Sequence, residues 1–226
     1  MKDTLRPIVA EFIGTFALVF VGGATIINGY VAHSPAPLID VAVAEGLIYA
    51  LLVTATMRFS GHLNPAVTVG VAVARRMAWN MAAACIIAQL VGAVVATHVL
   101  KAVYPADMAA AARYGGQWVA PWVSLPVAIT FEALATFFLV FVFFATIVDA
   151  KGPKVAGFGV GLMVAAGIMA AGPVTGGSMN PARSFGPALV SGIWEGHLIY
   201  WIGPLVGGII AALVYDRVFL RSQPAS

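Results

Sequence analysis

Charged residues are scarce in this chain. Only 9% of its 226 residues are Asp, Glu, Lys or Arg, whereas 61% are hydrophobic. A soluble domain carries about a quarter charged residues and presents them to water, so the composition excludes a soluble globular protein. It predicts a polytopic membrane protein whose apolar residues face a lipid bilayer.

Cysteine is almost absent as well. Cys85 is the one cysteine, which excludes an intrachain disulfide and a cysteine-rich metal site, and the four histidines are dispersed. The net charge of +3 comes from basic residues that are scattered rather than gathered into a stripe. We therefore predict no metal, no cofactor and no nucleic-acid partner. No nucleophile–base pattern indicates an enzyme.

Long apolar stretches predict six transmembrane helices. Four stretches contain no charged residue and exceed the ~18 apolar residues that suggest a membrane span. Two further spans carry one acid each, Glu45 or Glu132. The first span lacks a cleavage signature, so we do not interpret it as a signal peptide. The six cover residues 12–39, 41–57, 77–100, 125–148, 155–182 and 196–215.

Basic residues are distributed unevenly between the connections. With the N-terminus inside, Lys101 and Arg113 fall outside the membrane and nine basic residues fall on the cytoplasmic side. This asymmetry predicts that both termini are cytoplasmic, and we expect a bacterial-type plasma membrane. Arg183 is left within the membrane region. The nine are Lys2, Arg6, Arg58, Arg75, Arg76, Lys151, Lys154, Arg217 and Arg221.

The tripeptide Asn-Pro-Ala occurs twice, as Asn64-Pro65-Ala66 and Asn180-Pro181-Ala182. Asn is a favoured helix N-cap, and Pro suits the first helical position because its missing N–H has no partner there. The apolar residues after each copy continue for only about three turns, which is too short to span a bilayer. Each copy predicts a half-helix that enters a buried cavity.

An internal repeat relates the two halves of the chain. Glu11 and Glu132 each begin a Glu-x-x-x-Thr-Phe-x-Leu-Val-Phe-Val sequence, 132 − 11 = 121 residues apart. Three helices per unit invert the second unit in the membrane, so equivalent elements meet at the midplane. We predict an all-α membrane protein with six transmembrane helices, two re-entrant half-helices and an inverted three-helix repeat. It forms a single domain over 1–226, with repeats at about 1–103 and 122–221.

The two Asn-Pro-Ala motifs, the arginine after the second and the paired glutamates resemble the aquaporin and aquaglyceroporin family of major intrinsic proteins. The resemblance covers essentially the whole chain. It implies that Asn64 and Asn180 present amide donors to a single file of solute, where the half-helix dipoles oppose cations. Outside such a duplicated membrane context, both asparagines would be simple N-caps. The resemblance also implies a homotetramer with one pore per protomer.

Four residues occupy the selectivity-filter positions by the same resemblance: Glu45, Ile168, Gly177 and Arg183. Water-selective relatives usually have Phe at the first of these positions and His at the second, whereas Ile168 and Gly177 here offer little bulk and no side-chain donor, so a wider, less polar filter follows. A one-residue shift would replace Glu45 by Ala44. A carboxylate here either pairs with Arg183 or reaches the outer interface. Arg183 itself lines the filter or snorkels from a helix end.

Three further residues have counterparts in the family. His62 matches a pore-lining histidine on the cytoplasmic side, and the alternative is a histidine that packs within its loop. Glu11 and Glu132 resemble buried carboxylates that accept hydrogen bonds from the entry loops of the half-helices. These two carboxylates are assigned to the scaffold and not to acid–base chemistry.

The resulting hypothesis is a passive channel for water and small neutral solutes (glycerol, urea or metalloid hydroxides) that excludes ions and protons. A strictly water-selective channel is the alternative, and Ser184, Ala188, Tyr200 and Trp201 favour it because they match aquaporin-like choices. An ion-coupled secondary transporter would also use inverted repeats, but it needs a coupling-ion site that no cluster of carboxylates supplies.

Overall fold

The computed structural model describes residues 2–34 and 36–220, with the side chains of the first two left out. Over these residues the chain is helical and contains no strand, which confirms the predicted all-α class. Pro35 of the predicted outer connection and Arg221 of the predicted cytoplasmic charges lie outside the described residues. The α-helices are α1 (Lys2–Val31), α2 (Leu38–Thr56), α3 (Pro65–Val73), α4 (Trp79–Val103), α5 (Ala106–Ala111), α6 (Leu125–Phe143), α7 (Gly157–Thr175), α8 (Pro181–Ser191) and α9 (Ile199–Val214).

Six of the helices in the described part of the chain are long and apolar enough to cross a membrane, namely α1, α2, α4, α6, α7 and α9. Helices α6 and α9 each end in a π-helical turn, Phe144–Val148 and Tyr215–Leu220. Helix α1 begins at Lys2 rather than at residue 12, where the charge-free stretch begins, because hydrophobicity marks only the part of a helix that lipid surrounds. The connection between α4 and α6, residues 104–124, contains α5 and a 3-10 turn, Arg113–Gly115.

Helices α3 and α8 are the two predicted half-helices. Each begins at the proline of its Asn-Pro-Ala copy, one residue earlier than the predicted apolar stretch. Asn64 Oδ1 accepts a hydrogen bond from the Ala66 backbone N–H (2.8 Å), and Asn180 Oδ1 accepts one from that of Ala182 (3.0 Å). Most residues of both helices are buried, although the helices are too short to span a bilayer.

Close backbone contacts repeat between the two halves of the fold. Helix α1 packs along α4 and α6 along α9 in equivalent ways, while α2 and α7 pack against each other between them. A Cβ at Gly92 would lie 2.6 Å from the Phe12 carbonyl oxygen, and one at Gly207 would collide with the Ala133 carbonyl. Phe12 and Ala133 are 133 − 12 = 121 residues apart, the same offset as the paired glutamates. The inverted repeat therefore appears in packing as well as in sequence.

Buried carboxylates hold the loop that leads into each half-helix. Glu132 accepts hydrogen bonds from the Ser178 N–H (3.0 Å), the Met179 N–H (2.7 Å) and Thr175 Oγ1 (2.6 Å). Met179 has φ 54°, a left-handed conformation that costs a non-glycine residue about 1–3 kcal/mol. Glu132 is fully buried, so its bonds replace all its contacts with water and fix this strained turn.

Glu11 makes the equivalent contacts in the first repeat. It accepts hydrogen bonds from the His62 N–H (2.7 Å), the Leu63 N–H (2.6 Å) and Gln89 Nε2 (2.6 Å), and also from Ser60 Oγ. Leu63 has φ 53°, which matches Met179. The two entry loops thus share one design: a carboxylate on a spanning helix holds a left-handed residue immediately before the capping asparagine.

Glu132→Gln should lower the free energy of unfolding by about 1.5–3 kcal/mol, the range for hydrogen bonds to a charged group. The amide keeps one acceptor oxygen but turns an NH2 group toward backbone donors. Thermal unfolding in mild detergent measures the change. Glu195→Gln, which alters an exposed carboxylate, is the control. Equal unfolding temperatures for the two variants would show that the Glu132 carboxylate does not stabilise the fold.

Candidate functional site

The two half-helices meet N-terminus to N-terminus through reciprocal hydrogen bonds. Asn64 Nδ2 donates to the Met179 carbonyl (2.8 Å), and Asn180 Nδ2 donates to the Leu63 carbonyl (2.9 Å). Each amide oxygen caps its own helix, so both side chains are fixed at both ends. An amide carries two N–H donors, and one of each pair makes this bond.

Both asparagines line a small cavity beside this junction. The space that water centres can occupy is about 10 Å³, which is close to the minimum for one water molecule. One part of the wall is apolar and the rest carries polar groups. The apolar residues are Leu18, Leu139, Val164 and Met179, and the polar ones are Asn64, Asn180, Glu45, Tyr49, Ser178 and Arg183.

Arg183 and Glu45 form a buried ion pair at one end of this cavity. Arg183 Nη2 lies 2.6 Å from Glu45 Oε1, and Arg183 Nε lies 3.2 and 3.3 Å from the two carboxylate oxygens. The exposed fractions of the two residues are only 2% and 3%. Of the two sequence alternatives for this carboxylate, the structure thus has Glu45 paired with the arginine. Glu45 rather than Ala44 lines the cavity.

The remaining donors of Arg183 are held by the connection between α5 and α6. Arg183 Nη1 donates to the Gly115 carbonyl (2.6 Å). With the Gln117 amide oriented so that its oxygen faces the guanidinium, Oε1 accepts from Arg183 Nε (2.7 Å) and Nη1 (2.6 Å), and Nε2 donates to Ser184 Oγ (2.9 Å). This orientation is assigned because the opposite one would turn an NH2 group toward guanidinium donors. The guanidinium is therefore surrounded by acceptors of the protein.

Ile168 and Gly177 lie beside each other near the same end of the cavity. A Cβ at Gly177 would lie 3.0 Å from the Ile168 Cα, and Gly177 has φ 63°, so both space and backbone conformation favour glycine here. Ile168 and Gln117 also line a larger, mainly apolar vestibule of about 380 Å³. Of the four residues at the predicted filter positions, Glu45 and Arg183 line the small cavity and Ile168 lines the vestibule.

His62 is buried in the other entry loop. Its ring packs edge-on against Phe143 with centroids 5.7 Å apart, and its carbonyl accepts a hydrogen bond from Tyr49 Oη (2.6 Å). Thr68 Oγ1 donates to the Asn64 carbonyl, so His62 Nδ1, 3.2 Å away, is assigned as a donor to that hydroxyl. Nε2 is then the acceptor in the neutral ring. A place for His62 in a pore wall stays a prediction.

The structure places four of the sequence candidates around one small cavity. Asn64, Asn180, Glu45 and Arg183 line the cavity, and Ile168 lies at the vestibule. Pro65, Ala66, Pro181 and Ala182 are buried in the first turns of the half-helices. Sequence reasoning missed Gln117 and the Gly115 carbonyl. Their one signal was the Gly115-Gly116 pair in a connection interpreted only as a loop.

Charges around the cavity are balanced locally. The Arg183 and Glu45 charges cancel at short range, whereas the half-helix N-termini direct about half a positive charge each toward the junction. The carboxylates of Glu11 and Glu132 lie close to the same junction, since they accept from the Leu63 and Met179 N–H groups, and the end with the ion pair is close to neutral.

Comparison with known proteins agrees with this geometry. Residues 1–215 match the family model described as major intrinsic protein. Aquaporin TIP4-4 of Zea mays is 41% identical, over 96% of this chain and 87% of its own length. A probable aquaporin TIP-type of Medicago truncatula is 40% identical, over 97% and 89%. These relatives are plant proteins and give no support to a bacterial-type plasma membrane.

The fold has a solved counterpart. The X-ray structure of the aquaglyceroporin from Plasmodium falciparum superposes with a TM-score of 0.83 at 24% identity and covers 96% of this chain and 98% of its own. The similarity to this structure shows the fold, and the family model and the plant relatives show the family to which the chain is related. The chain is an integral membrane channel protein and not an enzyme, and it belongs to the major intrinsic protein family.

Proposed function

We propose that this protein is a passive channel for water and small neutral solutes such as glycerol, urea or metalloid hydroxides, and that it excludes ions and protons. The observation that carries the proposal is the pair of fixed asparagine amides that line the cavity at the junction and can donate to a passing molecule. A neutral molecule with hydrogen-bonding groups can replace its hydrogen bonds to water by hydrogen bonds to these amides at little cost in free energy. The roles below rest on the contacts described above.

The filter favours solutes beyond water because of what its four residues offer. Ile168 and Gly177 supply no side-chain donor, and Glu45, Gly115 and Gln117 occupy four of the five N–H donors of Arg183. A solute therefore meets an apolar surface beside a neutral ion pair. The similar solved structure is an aquaglyceroporin, which is consistent with a filter that accepts carbon-containing solutes.

Exclusion of ions depends mainly on the junction in this proposal. A cation that enters between the two half-helices loses part of its hydration and meets two positive helix ends. Because Glu45 cancels the charge of Arg183, the filter adds little to that barrier. This division of roles differs from one in which an unpaired arginine repels cations at the filter.

A strictly water-selective channel is the second candidate, and one observation favours it. The cavity beside the asparagines has room for about one water molecule, so a larger solute needs side chains to move. The relatives named aquaporins are consistent with either candidate.

Three features of the assembly belong to the same proposal. The uneven distribution of Lys and Arg supports cytoplasmic termini, with the vestibule near Gln117 opening on the opposite side.

One domain of two repeats forms the pore, and we propose a homotetramer on the basis of the family. Cross-linking in mild detergent tests the tetramer. The kind of membrane remains a prediction from sequence.

Liposomes that contain the protein should shrink quickly under a sucrose gradient and re-swell after shrinkage under glycerol or urea. The filter lacks the donors and bulk that would reject these solutes. Stopped-flow light scattering measures both phases, with protein-free liposomes as the control. Rapid shrinkage without re-swelling would leave the strictly water-selective channel. A flux that requires a sodium or proton gradient would indicate a coupled transporter.

Arg183→Ala should raise the leak of protons or sodium about tenfold or more, because an unpaired charge about 4 Å from a cation contributes several kcal/mol in a partly polar site. A pH-sensitive dye inside the liposomes measures the leak. The matched control is the double variant Arg183→Ala/Glu45→Gln, which removes both charges and should leak less than the single variant. Equal leaks in the two variants would show that the Glu45 charge does not act on the pore.

A further inference from the structure

Gly22 in α1 faces the carboxylate of the filter ion pair. A Cβ at position 22 would lie 2.5 Å from Glu45 Oε1, 2.7 Å from Cδ and 2.8 Å from Cγ, and these are its three nearest atoms. Real Cβ atoms do not approach other heavy atoms so closely. The missing side chain of Gly22 therefore provides the space that the Glu45 side chain occupies.

This contact differs from those of the glycines that pack helices together. Gly92 and Gly207 face backbone carbonyls of a neighbouring helix, so their small size sets the distance between helices. At Gly22 every one of the nearest atoms belongs to a single side chain. The repeat supports the distinction, because 22 + 121 = 143 and the equivalent residue in α6 is the bulky Phe143. The scaffold does not itself require glycine at this position.

We propose that Gly22 is a positioning residue for the filter: it lets the Glu45 carboxylate lie back against α1 beside Arg183 and so keeps the path open. Glu45 is confined by α1 on one side and lines the small cavity together with Arg183. A methyl group at position 22 displaces the carboxylate from α1. The space available to the displaced group is that cavity, which already holds only about one water molecule.

The inference rests on the proposed channel function and gives a different prediction from a general packing role. Gly22→Ala should lower the permeability to both water and urea about tenfold, because the added methyl drives Glu45 into an unfavourable rotamer and into the lumen. In the Glu45→Ala background the same methyl meets no carboxylate. Permeability of Gly22→Ala/Glu45→Ala should then equal that of Glu45→Ala alone.

The experiment compares the natural sequence, Gly22→Ala, Glu45→Ala and the double variant in liposomes by stopped-flow scattering, beside a control pair. Gly23→Ala is the matched control, since its methyl meets the flexible end of Leu100 (2.5 Å from Cδ1) one residue along. Its effect should be the same with and without Glu45→Ala. Transport by the natural sequence is measured first. If it does not transport, the channel proposal fails, and only if it does can the variants test the role of Gly22.

Two results would overturn the positioning role. One is a Gly22→Ala protein that transports like the natural sequence, and the other is a loss that persists unchanged in the Glu45→Ala background. If Gly22→Ala does not reach the membrane folded, folding of the double variant decides the question. A double variant that folds and conducts supports the role, and one that also fails shows that Gly22 serves general helix packing.

Discussion

The structure depends above all on how two short helices are held in a membrane with their N-termini facing each other. Each helix exposes backbone donors and a positive dipole end at the junction, and no water from bulk solvent satisfies them there. Asn64 and Asn180 satisfy part of these backbone donors and also join the two helices. Each caps its own helix and donates across the junction to the carbonyl that precedes the opposite asparagine. The left-handed residues Leu63 and Met179 turn those carbonyls toward the partner, so their strain is part of the junction.

Buried carboxylates make that strain tolerable. Glu11 and Glu132 would be costly in a membrane protein without partners, because desolvation penalises an isolated charge. Here each is surrounded by donors of an entry loop, and the loop in turn gains acceptors that its irregular backbone cannot find within itself. The same hydrogen bonds thus lower both the free-energy cost of burying a charge and the free-energy cost of an irregular backbone in the membrane.

The two halves of this shared scaffold differ at equivalent positions. In α6, the bulky aromatic Phe143 packs against His62. In α1 the equivalent position is Gly22, and the space is filled by a carboxylate that neutralises Arg183. The duplicated scaffold therefore sets the backbone arrangement, and individual substitutions decide which side chains fill equivalent places.

The sequence alone was sufficient for the architecture. Apolar length determined the six spans, because the bilayer sets a minimum helix length. Asn64-Pro65-Ala66 and Asn180-Pro181-Ala182 marked the half-helices, because capping asparagine and first-turn proline act locally. The offset between Glu11 and Glu132 revealed the inverted repeat. Tertiary structure decided the contacts between residues distant in the chain: the pairing of Glu45 with Arg183, the place of Gln117 beside the guanidinium, and the space that Gly22 leaves. Such contacts depend on side-chain direction and helix separation to within an ångström, and local sequence patterns do not encode them.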